Sequence, residues 1–169
     1  MMRSANISPD GAYRYTLARS WISEAIPGNS GFVTFILLNP SIANGEVDDP
    51  TVRRCISFAK RWKMDGLLMV NLFGLRATNP RALLAVLDPV GPDNDENILV
   101  GCRGSKLIIV GWGVQDGDLS RLIDRRVNEI RLKLDGHKLF ALGVTRSGAP
   151  RHPLYVPSHA HYSPWPWVA

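Results

Sequence analysis

Hydrophobic and polar positions alternate between two periods along this chain. Unbroken apolar runs at Phe32-Val-Thr-Phe-Ile-Leu-Leu38, Leu67-Leu-Met-Val70, Leu107-Ile-Ile-Val110 and Leu139-Phe-Ala-Leu142 have the length and composition of strands buried on both faces. Between them the spacing turns helical. Val52, Cys55, Ile56 and Ala59 predict a helix from about Pro50 to Trp62, and Leu119, Leu122, Ile123, Val127, Ile130 and Leu134 predict a longer one. Asp49-Pro50-Thr51 supplies a cap with proline at the first helical position, and Asp116 or Asp118 caps the longer helix. Thr78-Asn79-Pro80 repeats the device for a short helix through Leu87, and Gly91-Pro92-Asp93 opens another that reaches about Cys102.

Tyr13 to Trp21 alternates as a half-buried strand does, after a Ser8-Pro9-Asp10-Gly11 turn and before a Pro27-Gly28-Asn29-Ser30-Gly31 loop. Strands alternating with helices imply right-handed crossovers. The expectation is an α/β fold: a three-layer α/β/α sandwich over one domain, residues 1–169, with a four-stranded, mainly parallel sheet and an antiparallel N-terminal edge strand. Asn39, Asn71, Trp112 and Thr145 then stand at or just beyond strand ends, where such sheets keep their ligands.

Composition narrows this little. With 45% hydrophobic and 21% charged residues in 169, the chain has a sizeable core and is not a disordered sequence. The net charge of +5 allows an anionic partner without demanding one. Cys55 and Cys102 have neither the spacing of a zinc site nor the density of a disulfide scaffold, which fits a reducing, cytoplasmic setting. No apolar run approaches the ~20 residues of a membrane span, and the N-terminus lacks the apolar core of a secretory signal.

The polar residues at the strand ends carry the chemistry. Asn39, before Pro40, either completes a turn or holds a water or substrate hydroxyl. Asn71, amid Leu68, Met69, Val70, Leu72 and Phe73, either bonds backbone at a strand end or reads a base edge. Of the adjacent carboxylates, Asp49 is committed to capping, which leaves Asp48 as the candidate general base. In Arg151-His152-Pro153-Leu154-Tyr155, His152 is either an exposed loop histidine or a proton donor to a leaving group. Arg53, Arg54 and Arg151 could meet phosphate. His152, His159 and His161 have no nearby carboxylate to complete a metal site, Gly111-Trp112-Gly113 is not a dinucleotide fingerprint, and no P-loop occurs, so no cofactor is expected. Trp165 and Trp167 are expected to fold back onto the domain.

Leu38-Asn-Pro-Ser41, Asp48-Asp-Pro-Thr-Val-Arg-Arg54, Val70-Asn-Leu-Phe73, Val90-Gly-Pro-Asp-Asn-Asp95 and Arg151-His-Pro-Leu-Tyr155 resemble the recurring phrases of the uncharacterised domain of unknown function 1643 family. More distantly, their order is similar to that of the uracil-DNA glycosylase superfamily. There a first strand ends in a catalytic Asp-Pro or Asn-Pro turn, a second in a base-reading Asn, a third in a Trp-Gly turn, and a fourth leads to a His-Pro loop. That likeness implies a glycosylase-like fold, with Asn39 positioning water, Asn71 holding a base and His152 stabilising its departure. Ser41, Phe73, Trp112 and Tyr155 would complete the substrate site. Ser41 stands where the mismatch-specific branch has Gly, and the usual Ser-Pro-Leu-Ser continuation is reduced to Leu154-Tyr155, which argues against excision from duplex DNA. The expected function is cleavage of an N-glycosidic bond, or nucleobase recognition, on a nucleic acid or nucleotide. The alternatives are a non-catalytic module for a nucleotide or modified base, and an unrelated small-molecule hydrolase.

Overall fold

In the computed structural model, which describes residues 1–22 and 31–166, the apolar run at Phe32 becomes strand β3, Phe32–Leu37, with all six residues buried. It lies at the centre of one mixed sheet. The strands are β1 (Met2–Ile7), β2 (Arg14–Ser20), β3, β4 (Gly66–Asn71), β5 (Leu107–Val110), β6 (Phe140–Ala141) and β7 (Ser163–Pro164). Their order is β1-β2-β4-β3-β5-β6-β7, seven strands among the described residues. The middle four, β4, β3, β5 and β6, are parallel, while β1, β2 and β7 pair antiparallel at the two sides.

The sheet is therefore wider than the sequence pattern predicts. The strand expected at the N-terminal edge, β2, is antiparallel but lies one place in, because Met2–Ile7 adds along its free side in a register from Met2↔Ser20 to Ile7↔Arg14. β1 is mostly exposed and has no apolar face to announce it. The loop expected over residues 27–31 falls, except for Gly31, outside the described residues.

Helices cover both faces, as strands with no polar side require. Helix α1 (Pro50–Arg61) sets Val52, Cys55, Phe58 and Ala59 against Val33, Phe35, Leu67, Met69 and Ile109. Helices α2 (Asn94–Arg103) and α3 (Gly117–Lys133) set Ile98, Cys102, Leu119, Ile123 and Ile130 against Phe32, Ile36, Leu68, Val70 and Val110. The alternate residues of β3 thus feed two separate cores. Asp49 caps α1, its Oδ1 accepting from Val52 N at 2.8 Å. Asp116 occupies the cap position of α3 without a side-chain cap bond, and the helix expected after Asn79 is a short 3-10 turn, Pro80–Leu84. No helix among the described residues is long and apolar enough to cross a membrane.

The polar positions of β2 are the unexpected part of the interior. Arg19 is fully buried and donates from Nε (2.8 Å) and Nη2 (2.7 Å) to Asp48 Oδ1, while Arg3 Nη1 reaches Asp48 Oδ2 at 3.2 Å. Arg19 also donates to Asn44 O at 2.6 Å, so one guanidinium fastens β2 to the loop that leads into α1. Taking away one partner of a buried pair leaves a charge without compensation. We expect Asp48→Ala to destabilise the protein by about 3 kcal/mol, read as a lower urea midpoint at unchanged m-value. A loss below about 1 kcal/mol would show that the pair behaves as a surface contact and does not anchor this loop.

Candidate functional site

The parallel strands end on one rim, and the loops that leave them enclose a cleft of about 580 Å³. Four segments supply its walls. Leu38 to Ile42 follows β3, Asp49 to Thr51 opens α1, Trp112 to Gln115 follows β5, and Thr145 with Arg151 to Tyr155 follows β6. Ala77, Thr78 and Pro80 close the remaining side.

Asn39 enters this cleft with its amide direction fixed. Its Nδ2 donates to Ala77 O at 2.8 Å and to Pro40 O at 3.1 Å. Both amide hydrogens are thereby used by backbone, and the carbonyl oxygen remains as the acceptor that the cleft can employ. The turn role and the ligand role expected for this residue are compatible, because they use opposite ends of one amide.

His152 is held from three directions. Its Nδ1 accepts from Leu154 N at 3.2 Å, capping a 3-10 turn at Pro153–Tyr155. In the neutral ring the proton then sits on Nε2, which makes that atom a donor. Its ring lies 5.6 Å from that of Tyr155. Arg54, on α1, donates to Pro153 O at 3.4 Å and to Val156 O, clamping the turn against the helix that carries Asp49. Close approach on the other flank needs glycine. A Cβ on Gly111 would stand 2.9 Å from Pro153 Cδ and 3.2 Å from Arg151 O, and Gly113 has φ +75°. Between them Trp112 is buried against Trp165, edge to face with centroids 5.1 Å apart. Trp165 thus folds back as expected; Trp167 lies outside the described residues.

The structure brings together Asn39, Ser41, Trp112, Arg151, His152 and Tyr155. It separates the others from them. Asn71 is buried behind the cleft, its Oδ1 accepting from Arg14 Nη2 at 3.4 Å, and Phe73 belongs to the core on the α2–α3 side. Asp48 is taken by Arg19 and Arg3. Arg53 and Arg54 line a neighbouring shallow groove with Pro50, Ser57 and Leu154, and Nε and Nη2 of Arg54 donate to loop carbonyls. The sequence reading passed over Asp49, Thr51, Thr78 and Gln115 as cleft residues. Among the described residues no three His, Cys, Asp or Glu side chains gather as a metal site would need. Burial pushes the thiol of Cys102 up to about 12 and that of Cys55 higher still, so neither presents a thiolate near neutral pH.

Burial holds His152 below the ordinary 6.5, and the charge of Asp49 offsets part of that depression. The unfolded chain therefore takes up this proton first as pH falls. Stability from His152 is complete above about 6.5 and is lost as pH drops from there through the depressed native value. We expect the His152 ring to titrate below 6.5 by NMR, and His152→Gln to lose less stability than wild type between pH 7 and pH 5. A midpoint above the ordinary value would contradict the buried, neutral imidazole.

The chain matches the model of a family of proteins of unknown function, DUF1643, over residues 14–154. No curated protein and no solved structure matches it. The matched stretch begins with β2 and runs into the 3-10 turn after His152, so it contains every residue lining the cleft except Tyr155. On that extent of agreement the chain belongs to the DUF1643 family.

Proposed function

We propose that the cleft binds a nucleobase-bearing ligand, a nucleotide or one unit of a nucleic acid, and hydrolyses its N-glycosidic bond, on a fold of the uracil-DNA glycosylase kind. The observation that carries this reading is the meeting of Asn39 and His152 in one cleft from segments far apart in the chain. Hydrolysis of such a bond needs an acceptor to hold water beside the anomeric carbon, a donor for the departing base, and an enclosure for the base itself. Asn39 Oδ1, with its amide end anchored, is the acceptor. His152 Nε2–H is the donor.

Trp112, Ile42 and Leu154 supply apolar wall, and the Gln115 amide offers the paired donor and acceptor that a base edge requires. Arg151 donates from Nε to Val144 O at 3.1 Å, and its two terminal nitrogens have no partner among the described residues, which suits a phosphate at the mouth. In this reading Asn71 works from behind, holding Arg14 rather than a base.

The test is release of free base from nucleosides, nucleotides, single strands and duplexes carrying normal and modified bases, with binding followed in parallel. Asn39→Ala should lower turnover about 100-fold while affinity stays within a few-fold, because the held water matters mainly in the transition state. Urea unfolding of the variant controls for the lost bonds to Ala77 and Pro40. A wild type that binds bases and never releases one, with Asn39→Ala merely binding less well, would make the protein a binding module instead.

A further inference from the structure

We propose that Asp49, rather than Asp48, is the carboxylate that acts in the cleft, taking the proton of the water that Asn39 holds. The inference rests on the hydrolytic reading above and adds to it the base that reading lacks. Asp49 is the one carboxylate among the residues lining the cleft. Its capping bond to Val52 N uses Oδ1 alone, and Oδ2 has no hydrogen-bond partner among the described residues. Asp48, one residue earlier, gives both its oxygens to Arg19 and Arg3. The two neighbours have divided the work: one carboxylate fastens the loop and the other faces the ligand.

The surroundings of Asp49 fix its aim. A helix cap cannot rotate freely while its Oδ1 accepts from Val52 N. The same helix, through Arg54, grips the carbonyls of Pro153 and Val156, so the loop bearing His152 is registered against Asp49. The charged and titratable groups around the imidazole are Asp49 from α1, Arg151 and Tyr155 from its own loop, and Arg54 beneath the turn. Asp49 also acts electrostatically on the buried Arg14 behind the cleft.

In the step itself, the water oxygen forms the bond to the anomeric carbon as its proton passes to Asp49 Oδ2. The C–N bond breaks, and its electron pair leaves on the base nitrogen, which accepts the hydrogen bond of His152 Nε2–H. Asp49 then returns the proton to solvent or product. No oxidant, reductant or metal is consumed.

The substitution Asp49→Asn tests this cleanly, since asparagine caps a helix about as well as aspartate and the fold should persist. Expected are a loss of turnover of about 100-fold or more with binding of the same oligonucleotide or nucleoside unchanged within a few-fold, and a His152 NMR titration moved to lower pH in the ligand-free protein. The titration reads the carboxylate's charge without any substrate. Turnover within about three-fold of an active wild type, or an unmoved His152 midpoint, overturns the proposal and leaves the hydrolytic reading standing. So does loss of turnover in Asp48→Asn while Asp49→Asn remains active. A wild type that releases no base from any substrate is a different failure, and it removes the hydrolytic reading and the base role together.

Discussion

β3 has no face it can turn to water. Phe32, Val33, Phe35, Ile36 and Leu37 are all buried, and a strand of that kind is stable only between two layers. Its single polar side chain, Thr34, is satisfied by the helical layer itself: Oγ1 donates to Gly101 O at 3.1 Å and meets Ser105 Oγ. α2 can come this near because residue 101 has no side chain; a Cβ there would fall 2.7 Å from Leu68 Cδ2. The strand leaves this enclosure at Leu38-Asn39-Pro40. Because its neighbours β4 and β5 run parallel to it, their chains emerge on the same side. A cleft at that rim follows from the requirement to bury β3.

Buried arginines then hold the walls. Arg19 fixes the loop before α1 through Asp48 and Asn44. Arg126, on α3, donates from Nε to Leu72 O at 2.7 Å and pairs with Asp95 of α2, joining both helices of that layer to the chain just beyond β4. Arg14 donates to Ala43 O at 2.9 Å and to Asn71, and burial brings its guanidinium down to about 10 while Asp49 opposes the shift. Guanidinium groups suit this role, because a planar fork of five donors can satisfy several loop carbonyls at once. The loops bearing Asn39 and Asp49 are thereby tied to the sheet, Arg54 ties the loop bearing His152 to α1, and a site on rigid supports can keep its geometry.

The central strands and the two long helices were legible in the sequence because they depend on apolar content and period, which are local properties. β3, β5 and α1 begin and end close to where the pattern places them. What was hidden depends on partners distant in the chain. β1 is held by backbone pairing to β2 and has no apolar stripe. The alternation of β2 gives no sign that Arg14 and Arg19, on opposite faces of the strand, both lie inside, where Asn71, Asp48 and loop carbonyls receive them. For Asn71 the sequence left backbone bonding and base reading open, because the residue its Oδ1 accepts from, Arg14, stands on another strand. Asn39 and His152 were legible as cleft residues, from Asn-Pro just after β3 and His-Pro in the loop beyond β6. Asp49 was hidden as a cleft residue because a capping role looks exclusive, whereas the cap uses Oδ1 alone and the residue also lines the cleft.

Ligand-induced NMR shifts in the assigned protein test the central claim most directly. With a nucleoside or short oligonucleotide carrying the preferred base, the account predicts movement of the Asn39 side-chain amide, the Trp112 and Gly113 backbone, and the His152 ring, with α2 and the β1–β2 pair undisturbed. Shifts confined to another face of the molecule, or none with any nucleobase-bearing ligand at millimolar concentration, would contradict it.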